Sequence, residues 1–108
     1  MSDVRKAESG DRFEILDDAG AIAGRAYYVD SEGSRIFFHT KVDDAYAGQG
    51  LGRTLVTAAL DATREDGLQV MAMCPYVARL VERDHQWDDV VVPVSEAAIA
   101  AVERRTQG

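Results

Sequence analysis

The hydrophobic pattern of this chain changes period twice, and that double change limits the folds open to it. Apolar and polar residues alternate between positions 12 and 42, apolar residues then recur at helical spacing from Leu51, and a short buried-strand run follows at 68–73. A strand, a helix and a further strand in that order imply a right-handed crossover with parallel pairing. The chain therefore reads as an α/β domain with a mixed, mostly antiparallel sheet. Residues 12–16 and 21–29 form a hairpin around Asp17-Asp18-Ala19-Gly20, and the β-forming run 34–42 follows the turn Asp30-Ser31-Glu32-Gly33. Three antiparallel strands are thus expected to open the domain.

In the helical stretch, Leu51, Leu55, Ala58, Ala59 and Ala62 share one face, and Asp66-Gly67 ends it with a glycine suited to a left-handed cap. Pro75 ends the next strand at Cys74, because the residue before proline is held extended. Residues 76–83 suit a short helix, with Tyr76 and Leu80, and Val77 and Val81, four apart. A short extended segment is expected at 90–93. Ser95 can cap a last helix running to Arg105, whose closing Arg104 and Arg105 match the negative helix end.

With 108 residues, 46% hydrophobic and 29% charged, the chain has the composition of one globular domain spanning 1–108. No apolar run approaches the roughly 20 residues that a bilayer crossing needs, and the first fifteen residues lack the apolar core of a secretory signal, so a cytoplasmic protein is expected. Twelve basic against nineteen acidic residues leave a net charge of −7. A field of that sign repels a phosphate backbone, which argues against nucleic acid as a partner, as the lack of a long apolar run argues against a membrane. One cysteine, Cys74, with only His39 and His85 as histidines excludes an internal disulfide and makes a metal centre unexpected.

Three glycines mark the junction of strand and helix, in Gly48-Gln49-Gly50-Leu51-Gly52-Arg53-Thr54. Amides at the start of a helix lack partners and sit at its positive end, so such a loop can cradle phosphate with backbone donors alone. Spacing by itself does not separate this from a plain tight turn: neither the G-x-G-x-x-G pattern nor the Lys-Ser/Thr of a P-loop is present.

Val42, the loop 48–52 and the helix from Arg53 to Asp66 resemble the acetyl-CoA-binding segment of the GCN5-related N-acetyltransferase superfamily, whose pattern is Arg/Gln-x-x-Gly-x-Gly/Ala. Here it falls on Ala47 to Gly52, with Ala47 where the superfamily carries Arg or Gln. His39-Thr40 before the loop and Cys74-Pro75-Tyr76-Val77 after the next strand resemble more narrowly its minimal YidJ-like or NATD1-like domains. The likeness covers about residues 12–92, leaving 94–108 as a C-terminal extension of unassigned role.

The resemblance implies an acetyl-CoA-dependent transfer of acetyl to an amine of a small molecule, peptide or protein, by a monomer or weak homodimer. It implies a cofactor wedged between two splayed parallel strands, with pyrophosphate on Gly48, Gln49, Gly50, Leu51, Gly52, Arg53 and Thr54 and the pantetheine arm along Lys41 and Val42. It places Cys74 beside the thioester as a nucleophile or acid-base group, against the alternative of a small buried hydrophobe. His39 becomes a candidate base and Tyr76 a candidate acid for the departing thiolate, each with a packing role as the alternative. Asp43-Asp44 reads either as an attractor for a cationic amine or as a solvated turn. A non-catalytic CoA-binding or protein-interaction module remains the rival reading.

Overall fold

The computed structural model describes residues 3–46, 48 and 50–107. Among these residues it forms strands β1 (Asp3–Lys6), β2 (Arg12–Leu16), β3 (Ile22–Ser31), β4 (Ser34–Val42) and β5 (Gln69–Ala72), with helices α1 (Leu51–Glu65), α2 (Pro75–Arg83) and α3 (Glu96–Gln107). The strands form one sheet in the order β1-β2-β3-β4-β5, antiparallel except for the parallel β4–β5 pair. This is the mixed α/β arrangement that the change of period implies. One element was not expected: β1 makes the antiparallel strands four rather than three. Its sequence Asp-Val-Arg-Lys offers a single apolar residue, and pairing with β2 at the sheet edge, not burial, makes it a strand.

Glu32 (φ 51°) and Gly33 (φ 80°) join β3 to β4 in a two-residue turn whose left-handed backbone matches the twist of the hairpin. α1 lies on one face of the sheet. It buries Leu51, Leu55, Val56, Ala59, Leu60 and Thr63 against a core that includes Phe13, Ile15, Ala26, Tyr28 and Phe37. The buried stripe is rotated from the predicted one, with Ala58 and Ala62 only half-buried, because α2 and Trp87 cover a second side of the helix. Trp87 is fully buried and donates its indole N–H to Asp61 at 2.9 Å. Pro75 at the start of α2 follows an extended Cys74 (φ −69°, ψ 127°), and Gly67 (φ 74°) ends α1, both as the sequence implies.

α3 covers the opposite face, packing Ala98, Ala101 and Val102 on Ile36, Val29, Phe38, Met71 and Met73. Ser95 caps it, accepting the Ala98 N–H at 3.1 Å. The extended segment before α3 bridges β5 in parallel: Val70 donates to the Val90 carbonyl at 2.8 Å and accepts from Val92 at 2.9 Å.

Register positions the rest. Phe37 pairs with Tyr28 and His39 with Tyr27, so Phe38 is an extra residue, a bulge in β4. Phe37 points into the α1-side core, whereas Phe38 and His39 both lie against Tyr27 on the α3 side. After the bulge the alternation is reversed. Thr40 and Val42 then face α1, and His39 and Lys41 face away from it.

Candidate active site

The ladder between β4 and β5 is short. Ser34 to Phe37 pair with Gln69 to Ala72, and then Met73 and Cys74 both donate their backbone N–H to the Phe37 carbonyl, each at 2.9 Å. From there the chain turns into α2 at Pro75, while β4 runs on to Val42. Asp43 donates its N–H to the Ala23 carbonyl at 2.9 Å. Counting back from it, strand alternation turns the backbone groups of His39 and Lys41 toward β3 and those of Thr40 and Val42 toward the side that β5 has left. The two parallel strands therefore diverge, leaving main-chain donors and acceptors on an open edge.

That edge leads into the glycine loop. Gly48 (φ 82°) and Gly50 (φ 72°) take left-handed backbone, which side-chain-bearing residues adopt at a cost of about 1–2 kcal/mol. Gly50 is the N-cap of α1 and provides no side-chain bond. The first helical bond runs from the Thr54 N–H to the Gly50 carbonyl at 3.2 Å, and the Thr54 hydroxyl also donates to that carbonyl. The amides of Leu51, Gly52 and Arg53 consequently point out of the positive helix end. Gln49 and Ala47 lie outside the described residues.

Gly52 has a second reason to be glycine. A Cβ there would stand 3.1 Å from Tyr76 Oη and 3.5 Å from Val42 Cγ2. The phenol of Tyr76, 43% exposed, thus lies over the first turn of α1 at the mouth of the gap between β4 and β5. It is the residue of α2 that leaves the core stripe of Val77, Leu80 and Val81. Beside it, Arg53, Tyr76, Arg79, Leu80 and Arg83 line a hollow of about 140 Å³. Arg53 reaches Asp84 at 3.4 Å, while Arg79 and Arg83 make no ion pair with another described residue. Two like charges four apart on a helix repel, by about 0.2–0.5 kcal/mol. Neither arginine was singled out in the sequence; with α2 starting at Pro75, their i,i+4 spacing on the face that carries Tyr76 is the signal.

Cys74 is buried at the end of β5, its thiol donating to Thr40 Oγ1 at 3.4 Å. His39 does not join it: the imidazole lies on the other face of β4, exposed and stacked on Tyr27 at 5.8 Å between ring centres. The structure therefore brings together Thr40, Val42, Cys74, Tyr76 and the glycine loop, and sets His39 and the Lys41 side chain on the far side of the strand. Tyr46 anchors the approach to the loop by donating its hydroxyl to Asp17 at 2.6 Å, and this bond holds the Asp17 carboxyl below its usual range.

Comparison with known proteins agrees with this geometry. The model of a family described as GCN5-related N-acetyl-transferase matches residues 12–90. Human protein NATD1 is 39% identical over 46 residues, 43% of this chain and 41% of NATD1, so the match spans about two fifths of that relative's length. The solution structure of a GCN5-like protein from Staphylococcus aureus superposes with a TM-score of 0.65 at 25% identity, covering 87% of this chain and 91% of that one. The Escherichia coli GNAT-family N-acetyltransferase YhbS, solved in complex with CoA, gives a TM-score of 0.50 at 29% identity over 58% of this chain and 41% of its own. A mixed sheet with a diverging parallel pair, a glycine-rich helix mouth beside it and a family match across most of the chain lead to one assignment: this chain belongs to the GCN5-related N-acetyltransferase family.

Proposed function

We propose that the chain binds acetyl-CoA in the β4–β5 gap and catalyses acetyl transfer to an amine. The observation that carries this is the joint ending of the parallel ladder at Phe37 and continuation of β4 into the glycine loop. One edge then offers unpaired strand backbone to an extended chain bearing amides, and a positive helix mouth to the phosphates at its end. The residues present fit the group: Gly52 keeps the mouth free of a Cβ, and Gly48 and Gly50 supply the turn.

Thr40 and Val42 would bind the pantetheine amides through their backbone, an assignment that shifts Lys41 from backbone pairing to a side-chain role on the other face. The amides of Gly50 to Arg53, with Gly48, would hold the pyrophosphate, Thr54 closing the first turn with both of its donors on the Gly50 carbonyl, and Arg53, Arg79 and Arg83 would hold a further phosphate in the hollow beside it. Local cations at this point offset a net charge of −7 that otherwise opposes an anionic cofactor. Acetyl-CoA, when bound, supplies an acetyl group activated as a thioester. Tyr76 Oη would deliver the proton that a departing thiolate requires, and a ring nitrogen of His39, on the opposite face, would take the proton released by the amine.

Cys74 serves in this reading by packing: its thiol is buried, bonded to Thr40, and on the opposite face of β4 from the His39 imidazole stacked on Tyr27. A buried thiol without a nearby cation is a poor nucleophile. Direct attack of the amine on the thioester is thus favoured over an acetylated cysteine.

Release of free thiol from acetyl-CoA, followed with a panel of amines, tests the activity. Turnover is expected for the parent chain and for Cys74→Ala, with a loss in Tyr76→Phe. Tight CoA binding with no turnover on any amine would favour the non-catalytic module. A mass increase of one acetyl group on the Cys74 peptide would restore the acyl-enzyme route.

A further inference from the structure

The sheet face away from α1 carries a charge pattern opposite to that of the whole chain. Register places Arg5, Glu14, Arg25 and Lys41 side by side in one row across β1 to β4, and Arg12, Tyr27 and His39 in the next row. Alternation puts both rows on the same face, the one whose far end α3 covers. In these two rows four permanent cations meet one carboxylate, with Asp3 the neighbouring acid of β1 on the same face, in a chain with 12 basic and 19 acidic residues.

Glu14 cannot neutralise them all. It is buried, and its two oxygens already accept from Arg5 Nε at 3.1 Å and Arg12 Nε at 3.0 Å. Asp11 at the rim is likewise occupied, by Arg12 at 2.8 Å and by Arg105 of α3 at 3.0 Å. Arg25 and Lys41 are left directly opposite each other with no ion pair to another described residue. Like charges facing each other across a strand pair destabilise a sheet. Next to them, Tyr27, Phe38, His39, Lys41 and the Thr106 end of α3 line an open hollow of about 510 Å³. The hollow contains His39 and flanks the strand that borders the cofactor gap.

From this we infer that the acceptor carries a carboxylate close to its amine, as an acidic amino acid or the acidic N-terminus of a peptide does. The inference rests on the acetyl-transfer reading above and names its second substrate class. Arg25 and Lys41 would bind the carboxylate, Tyr27 and Phe38 would flank it with aromatic surface, and His39 would lie beside the amine. A basic or neutral amine gains nothing from this row.

The test compares the tripeptide amides Asp-Gly-Gly, Asn-Gly-Gly and Lys-Gly-Gly, and free aspartate, as acceptors for the whole chain with acetyl-CoA. The expected result is a KM about tenfold lower for Asp-Gly-Gly than for the other two peptides, with the advantage lost in Arg25→Gln and reduced by salt. Free aspartate matching the peptide would identify the amino acid itself as sufficient. Lys41→Gln, at an exposed site, repeats the comparison should Arg25→Gln fold poorly. Backbone amide shifts give a readout free of turnover: with CoA bound, Asp-Gly-Gly should move the signals of Arg25, Tyr27, His39 and Lys41, and Lys-Gly-Gly should not. Equal KM values, a preference for Lys-Gly-Gly, or no movement of those amides overturns the inference. Failure of CoA itself to bind would instead overturn the acetyl-transfer reading.

Discussion

Tyr76 and Gly52 form the contact on which the chemistry turns, and each is informative because of the other. Gly52→Ala would place a methyl group 3.1 Å from the phenol oxygen. Stability should hold, since alanine favours a helix by about 1 kcal/mol over glycine, while the CoA-dependent rise in melting temperature should shrink as the ring is pushed into the mouth. Tyr76→Phe keeps the ring and removes the acid; CoA binding should be unchanged and turnover should fall about 100-fold, measured by thiol release. Tyr76, Cys74 and the glycines were all legible as candidates in the sequence, because a glycine-rich strand-to-helix junction and a Cys-Pro-Tyr turn are local. What was not legible was company. Whether Cys74 meets His39 or Thr40 depends on the bulge at Phe38, which reverses the alternation of β4 and leaves no trace in the apolar pattern, since Phe37 and Phe38 are both aromatic.

Among the elements, α2 does two jobs with one turn of offset. Val77, Leu80 and Val81 bury its inner side, and Tyr76, Arg79 and Arg83 line the hollow beside the helix mouth. Arg79→Ala and Arg83→Ala should each weaken CoA binding while leaving dephospho-CoA binding nearly unchanged, by calorimetric titration; equal losses for both ligands would move the hollow out of the cofactor site. The helices and strands from position 12 onward were readable from period and caps. β4 and the start of α1 fall where the pattern puts them, and Ser95 caps α3 as its hydroxyl suggests. β1 escaped because a polar edge strand carries no burial signal. The buried face of α1 was rotated because periodicity shows that a helix is amphipathic without showing that two partners, the sheet and α2, share it.

At the scale of the molecule, a −7 chain is held together on its basic face by carboxylates under cations, which sets its response to acid. Burial pushes the Glu14 carboxyl upward, but hydrogen bonds from Arg5 and Arg12 outweigh it and hold the group below its usual range. Arg35 and Lys6 do the same for Asp66 at the end of α1. A carboxyl with a lower pKa folded than unfolded stabilises the fold fully above its unfolded value, about 4, and loses that contribution as pH falls through the folded one. The urea midpoint should therefore be level down to about pH 5 and drop below about pH 4. Glu14→Gln should flatten that drop and cost about 1–3 kcal/mol at neutral pH, where the carboxylate otherwise receives two charged hydrogen bonds.

The central claim is that one open edge, from Thr40 through the glycine loop to the mouth of α1, receives the cofactor. Titrating the isotopically labelled chain with CoA and following its backbone amides measures this residue by residue. The largest changes are expected at Thr40, Val42, Gly48, Gly50, Gly52, Arg53 and Tyr76, with strands β1 and β2 undisturbed. Changes clustered on β1 and β2, or none at millimolar CoA, would contradict it.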